Sequence, residues 1–560
     1  MNTASPLQVP LPWQPASRRA EMLFWLAAGA LLFINLGATG TWQSEDRWLE
    51  IVREMQLRGD YFRPTLNGVL YFDKPLLSYW FIAALSFVFG TLNEWMLRLP
   101  STLAALGVLW ATRDLARHLW DRDTALLAGW ILLTSFGFVQ WARLGEADME
   151  NLAASTLAVA CYWRNRDAMR FHGYTLFYAI LALGAQCKGL TAIVVPVLAI
   201  APDLLRNKPL RHVNVAHIAA IAIGAGLYFL PFLLSPEGAH TAARDAHAQS
   251  GLAQVLRENV VRYFAPFDHT EPWYTYFIAI PQYLFPWSLL FVFALIALLK
   301  NKNPDHPGRS WLLAATGLIF VFFTLSGSRR NYYILPVLPY CALLCAVYMR
   351  KFMSARALRW SAIPLVVGAL VELGLALAWP LLQQRADGLL PASLRWAQFG
   401  IGAAALIVAA NVITRAPLRS RLGAAFGSAF ILLGAFFFYQ QLIIDGYRSD
   451  FAFSRELAAL VRAHPDATIA TLGDKPGGTL LFYADLAPTV TVLDNGAALR
   501  DFLAATDNPK LILAAHRYDR ELPEQLQHAT AQLQERQYPW EKNNRDKLRA
   551  WLIETTSDRR

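Results

Sequence analysis

The stretch Arg143-Leu144-Gly145-Glu146-Ala147-Asp148-Met149-Glu150 puts three carboxylates between two apolar runs. So short a connection needs no such charge density for solubility, so Asp148 and Glu146 are candidates for proton transfer or for orienting a polar substrate. A second acidic group, Ser44-Glu45-Asp46-Arg47, stands at the end of the first apolar run, where acids also serve as ordinary helix caps. In Tyr71-Phe72-Asp73-Lys74-Pro75 an acid and a base precede another apolar run, and Lys74 has the alternative of snorkelling toward phospholipid headgroups. Lys188-Gly189 falls where two apolar runs meet with almost no loop, and an ammonium so placed usually has a partner. Arg262, Asp268, His269 and Glu271 lead into the aromatic start Pro272-Trp273-Tyr274, and Ser328-Arg329-Arg330-Asn331-Tyr332-Tyr333 puts paired guanidiniums in a tight turn. Ammonium and guanidinium groups suit a phosphate, which Arg binds bidentately. The combination implies anion binding together with carboxylate chemistry. One His beside one or two acids is a sparse ligand set, which leaves any divalent-metal requirement open.

These residues are separated by membrane-like sequence. Of 560 residues 55% are hydrophobic and 16% charged, against about 25% charged in soluble domains, and the mean hydropathy is +0.30. That composition excludes disorder. The four cysteines, Cys161, Cys187, Cys341 and Cys345, lie in apolar runs and read as core residues rather than a disulfide scaffold. A net charge of +10 would suggest nucleic acid in a soluble protein, but in a membrane chain Lys and Arg collect in cytoplasmic loops, and no nucleic-acid partner is expected.

Apolar runs long enough to cross a hydrocarbon core, about 20 residues of helix, fall at 21–38, 99–116, 124–141, 150–163, 174–187, 189–205, 213–234, 275–299, 310–326, 332–349, 359–380, 396–414 and 422–443. With the N-terminus (Arg18, Arg19) inside, every inside loop is basic: Arg113/Arg117/Arg122, Arg164/Arg166/Arg170, Arg206/Lys208/Arg211, Lys300/Lys302/Arg309, Arg350/Lys351/Arg356/Arg359 and Arg415/Arg419/Arg421. Counting Leu76–Gly90 as a further span would invert that pattern, so it is expected to lie in or dip into the outer interface. Thirteen spans put the C-terminus outside. Met1–Arg19 is polar and Pro-rich, without the pattern of a cleavable signal.

Three segments follow: a cytoplasmic N-terminal segment (1–20), a transmembrane catalytic domain (21–444) with a long first outer loop (39–98), and a periplasmic α/β domain (445–560). In the first loop, Trp48, Leu49, Ile51, Val52 and Met55 have helical spacing, predicting an amphipathic helix over Glu45–Leu57 on the membrane surface. In the last domain, strands are expected at Thr468–Leu472, Leu480–Tyr483, Val490–Leu493 and Leu511–Ala515, and helices at Ser454–Ala463, Ala497–Ala504 and Pro523–Glu535. Gly473-Asp474-Lys475-Pro476-Gly477-Gly478 lacks P-loop spacing and reads as a turn before a strand.

In order along the chain, Glu45-Asp46-Arg47, Gly59-Asp60, Asn67-Gly68, Tyr71-Phe72-Asp73-Lys74-Pro75, Arg98-Leu99-Pro100-Ser101, Arg143 with Asp148-Met149, Lys188-Gly189, Arg262-Tyr263-Phe264, Pro286-Trp287 and Ser328-Arg329-Arg330 with Tyr333-Ile334-Leu335-Pro336 resemble the aminoarabinose transferase (ArnT-like) family. These are glycosyltransferases of family 83, with the GT-C fold, that use polyprenyl-phosphate sugars. The resemblance covers roughly residues 20 to 350. It implies an inverting transferase of the bacterial inner membrane that moves a sugar from undecaprenyl phosphate to a phosphate of lipid A or a related envelope acceptor, a modification tied to polymyxin resistance. It also implies that Lys74, Arg262 and Tyr333 hold the lipid phosphate, with Arg329 and Arg330 assisting and Asp148 as an acidic catalytic position. The family usually has Asp-Glu where this chain has Ser44-Glu45, and Glu where it has Asp73. The first-loop catalytic acid is then Glu45 or Asp46. Arg47, Tyr71, Asp73, Glu146, Lys188 and His269 complete the expected substrate-binding set. Two rivals stand beside this reading: a protein O-mannosyltransferase-like enzyme with a Ser/Thr or other glycan acceptor, and a lipid or sugar transporter. Transporters place ionisable groups near the midplane of broken helices, whereas here they cluster in outer turns.

Overall fold

The computed structural model describes residues 17–167, 170–206, 212–234, 257–266, 268–300, 307–414, 416–487, 489–505 and 508–554. Most of the N-terminal segment, much of the 235–274 loop, and Lys208, Arg211, Lys302 and Arg415 lie outside the described residues.

The first ten helices are α1 (Arg18–Phe33), α2 (Glu45–Arg58), α3 (Leu77–Phe89), α4 (Glu94–Leu119), α5 (Arg122–Leu133), α6 (Phe136–Ala142), α7 (Asp148–Asn165), α8 (Phe171–Cys187), α9 (Thr191–Arg206) and α10 (Val215–Leu234). Each of the thirteen apolar runs is helical over most of its length. Among the described residues, six helices are long and apolar enough to cross a membrane unaided, or eight if each bent pair counts as one span. The bent pairs fall where single spans were expected. Helices α5 and α6 meet at 70°, and Thr275–Tyr283 meets Ser288–Lys300 at 113°. In the second pair, Pro281 and Pro286 remove two backbone donors and interrupt the hydrogen-bond ladder. The unit Asn331–Lys351 is apolar all round and almost wholly buried, so it forms the centre of the bundle. Its Leu343 and Cys345 share one core with Leu132, Leu152 and Phe426.

Helix α3 is apolar but only 13 residues long, about 20 Å at 1.5 Å per residue. That falls short of the roughly 30 Å hydrocarbon core.

Helix α2 forms where the apolar spacing predicts it, with Glu45 and Asp46 in its first turn and Gly59 closing it in the left-handed region at φ 65°. Its environment differs from the expected membrane surface: Trp48, Leu49, Ile51, Val52 and Met55 are buried, and so are Glu50 and Glu54 on other faces. Protein covers both sides. Glu54 accepts from the backbone N–H of Asn67 at 2.6 Å and of Gly68 at 3.2 Å, anchoring the turn between β1 (Thr65–Leu66) and β2 (Val69–Leu70). Asn67 exchanges hydrogen bonds with the Val490 backbone at 3.0 and 2.8 Å, and Arg53 donates to the Leu486 carbonyl at 2.7 Å.

The C-terminal part is a five-stranded sheet in the order β4-β3-β5-β7-β6, built from β3 (Thr468–Leu472), β4 (Thr491–Leu493), β5 (Lys510–Ala515), β6 (Leu533–Gln534) and β7 (Leu548–Ile553). Strand β3 runs parallel to both neighbours, and β7 is antiparallel to β5 and β6. Three expectations are corrected. Leu480–Tyr483 is not a strand but the end of a helix, Gly478–Tyr483, and the Gly-rich turn follows β3 and precedes that helix. The apolar run is too short for periodicity to separate the two states, and burial of Leu480 and Leu481 favours the helix. The helix expected over Pro523–Glu535 stops at His528 and gives way to β6. Strand β7 was not foreseen from the sequence.

Candidate active site

Turns at one end of the bundle converge on one cavity of about 450 Å³. The first loop supplies Arg47, Tyr71, Asp73 and Lys74, and the α6–α7 connection Glu146 and Asp148. Lys188 comes from the α8–α9 junction, Arg262 and His269 from the segment before Thr275, and Arg330 and Tyr333 from the turn before the central helix. Eleven of the fourteen sequence-predicted residues therefore share one space.

Its charges are arranged in pairs. Asp148 accepts an ion pair from Lys188, whose ammonium also lies over the rings of Tyr332 at 5.0 Å and Tyr333 at 5.7 Å. Gly189 is required beside it: its φ is +133° and a Cβ there would stand 2.4 Å from Asn259 Oδ1, which accepts from the Leu190 N–H at 2.8 Å. Arg262 forks onto Asp268 (Nε to Oδ1 2.8 Å) and donates to Glu258 at 2.5 Å. Arg47 donates to the Tyr71 hydroxyl at 2.6 Å, which donates to Asp73 at 2.7 Å. Lys74 donates to the Asp73 carbonyl at 3.2 Å. Arg330 meets His269 Nδ1 at 2.8 Å.

Burial governs the titration of these groups. It holds the Lys74 ammonium below an ordinary lysine, with Asp73 and Glu258 opposing and Lys188 and Arg262 reinforcing that shift. It pushes Glu146 up to about 7, helped by Asp148 and opposed by Lys188 and by the hydrogen bond from the Ser44 N–H. A carboxyl near 7 in a cleft is matched to proton transfer at neutral pH. Burial also raises Glu258 and lowers His269.

Three expected residues lie outside the lining. Glu45 is fully buried and forms a two-pronged ion pair with Arg98, both contacts 2.8 Å. It also accepts from Trp42 N–H at 2.8 Å and Gly145 N–H at 2.5 Å, so its acceptors are engaged in holding the first loop to α4 and to the α6–α7 connection. Asp46 faces the C-terminal sheet, accepting from the Thr479 N–H at 3.1 Å. Arg329 clasps backbone carbonyls, Glu271 at 2.7 Å among them, and supports the turn that carries Arg330. Conversely, Glu258, Asn259, Asp268 and Tyr332 line the cavity but were not in the expected set. The four-residue spacing of Glu258 and Arg262 was the available signal. Among the described residues, no group of three or more His, Cys, Asp and Glu side chains is arranged to hold a metal.

A polar cavity walled by bent and apolar helices, with a small mixed sheet alongside, matches the GT-C fold that the sequence resemblance implies. Among solved structures the chain superposes on ArnT from Cupriavidus metallidurans bound to undecaprenyl phosphate with a TM-score of 0.72, at 19% identity, covering 96% of this chain and 98% of that one. The family model described as dolichyl-phosphate-mannose-protein mannosyltransferase matches residues 73–234. The undecaprenyl phosphate-alpha-4-amino-4-deoxy-L-arabinose arabinosyl transferase of Pseudomonas aeruginosa is 30% identical over 381 residues, 64% of this chain and 64% of that protein. Transferase 1 of the same description from Pseudomonas fluorescens is 28% identical over 356 residues, 60% of each. The chain thus matches 60–64% of the length of these curated relatives, and the resemblance to aminoarabinose transferases read from the sequence holds.

Proposed function

We propose that the chain is an inverting glycosyltransferase that moves an aminoarabinose-like sugar from undecaprenyl phosphate to a phosphate of lipid A, or a related envelope acceptor, at the periplasmic face of the bacterial inner membrane. The observation that carries this reading is the gathering of Arg47, Lys74, Lys188, Arg262 and Arg330 in one cavity, within a fold shared with a protein crystallised with undecaprenyl phosphate. Thirteen spans with a cytoplasmic N-terminus, and residues 445–560 as a periplasmic domain, belong to the same proposal.

The donor phosphate takes positive groups of which Lys188 and Arg262 are now paired with carboxylates. Lys74, Arg262 and Tyr333 hold it, and Lys188, drawn toward it, leaves Asp148 a free carboxylate. The acceptor oxygen bonds to the sugar's anomeric carbon from the face opposite the lipid phosphate, the carbon–oxygen bond to that phosphate breaks, and its electron pair departs with the phosphate, where the cations stabilise the added charge. A phosphate acceptor has no proton to lose, so Asp148 then orients the sugar or steadies positive charge at its ring. A hydroxyl acceptor passes its proton to Glu146 or Asp148.

A second reading, transfer to a protein Ser/Thr hydroxyl, is favoured by the description of the matched family model. Mass spectrometry of lipid A from cells with and without the gene separates the two. A mass increment of one sugar that depends on the gene supports the first reading, and unmodified lipid A with newly glycosylated protein supports the second.

A further inference from the structure

The molecule has a second cavity, of about 200 Å³, on the other side of α2's first turn. It lies between the carboxyl ends of β3 and β5, lined there by Thr471, Leu472, Leu513, Ala514 and Ala515. The chain runs from β3 to β4 on one side, then crosses to β5 on the other, so the paired strands β3 and β5 flank the topological switch point. In open α/β sheets that crevice is where ligands bind. Its volume is below the 300 Å³ or so of pockets for drug-sized ligands and fits a single small molecule.

The lining is built for a polar ligand. Thr471 is 5% exposed, and its Oγ1 is buried with no hydrogen-bond partner. An orphaned buried hydroxyl costs about 1–3 kcal/mol, which an occupant of the crevice would relieve. Around the rim stand Asp46, Asp450 and Asp474, with the exposed Lys475 as the cation of the lining and Arg448 and Arg517 paired with Asp450 and Asp474 beside it. Asp450 is held by Arg448 at 3.0 Å and Asp474 by the Tyr518 hydroxyl at 3.0 Å and by Arg517, which fixes both carboxylates. Backbone packing completes the wall: a Cβ on Gly478 would come 2.6 Å from the Asp46 carbonyl group, so only glycine lets the turn after β3 close on α2.

We propose that this crevice binds a small hydroxyl-bearing primary amine, an amino sugar, with the ammonium on the aspartates, a hydroxyl on Thr471 and the ring against the leucine floor. The proposal is independent of the function assigned to the first cavity. Asp46 in this crevice and Arg47 in the first cavity are adjacent residues, so the two sites share α2's first turn.

The test uses the full-length protein in detergent, with glucosamine as the probe and glucose as its amine-free control, read by calorimetric titration. Glucosamine is expected to bind at least about tenfold more tightly than glucose, and Thr471→Val to weaken it about tenfold, the loss of one hydrogen bond. Asp474→Asn weakens it in the same direction, and Lys74→Ala, in the first cavity, leaves it unchanged. Asp474→Asn serves as the crevice variant that decides the matter should Thr471→Val fail to fold. The proposal is overturned by an absence of glucosamine binding, as when ordered water alone fills the crevice, by equal binding of glucose, or by binding lost in Lys74→Ala and retained in the crevice variants.

Discussion

The ion pairs inside the first cavity decide what single substitutions do. Lys74→Ala removes a cation from the expected phosphate position while leaving the Asp73 carboxylate behind, and loss of one such contact in a transition state lowers turnover about 100-fold or more. Single-turnover transfer assays check this, and a comparable loss is expected for Asp148→Asn. Glu146 adds a pH signature. Its carboxyl is raised from 4.5 to about 7 by burial, so its contribution to stability is fully present below 4.5 and is lost as the pH rises through 7, on the order of 3 kcal/mol. Thermal unfolding in detergent across that window should show a smaller decline for Glu146→Gln than for the parent. Some decline remains, because Glu50 is raised to about 7 as well. These residues were legible in the sequence because charge in short outer connections has few structural uses. Glu45 was legible as important but not in its role: nothing local distinguishes an acid facing a cavity from one gripping Arg98, 53 residues away.

At the scale of elements, α2 and its anchors position the cavity wall. The Glu45–Arg98 pair is buried on both sides, 0% and 3% exposed. Breaking it leaves a buried charge uncompensated, at a cost of about 3–5 kcal/mol. Arg98→Ala is therefore expected to lower the thermal midpoint strongly and to abolish transfer through displacement of Arg47, a loss that added donor does not rescue. Gly189→Ala should act more locally: at φ +133° it costs about 1–3 kcal/mol and pushes Asn259 away, raising the KM for donor through Lys188. Apolar spacing predicted α2, and the charge of the loops, rather than apolar length, set α3 apart from the spans. Periodicity carries no information about what covers a helix, so the C-terminal helix Gly478–Tyr483 packed on α2 could not be anticipated. The helix Gly478–Tyr483 was misread for a related reason, since four apolar residues fit either state and tertiary packing chose between them.

For the whole molecule, loop charge gives an orientation that labelling can check. The four native cysteines are buried, so background reaction with an impermeant maleimide is low. Thr530→Cys, exposed in the connection between the helix Glu524–His528 and β6, is expected to label from the periplasmic side of intact spheroplasts, and Ser420→Cys only after lysis. The opposite pattern would invert the topology. The central claim is sugar transfer from a polyprenyl phosphate to lipid A at the paired-charge cavity. Its most direct test supplies the purified full-length protein in lipid nanodiscs with undecaprenyl-phosphate-linked radiolabelled aminoarabinose and lipid A, and follows the label. Label is expected to move to lipid A at a rate reduced about 100-fold or more by Lys74→Ala. Label remaining on the donor, or moving at the same rate with Lys74→Ala, would contradict the account.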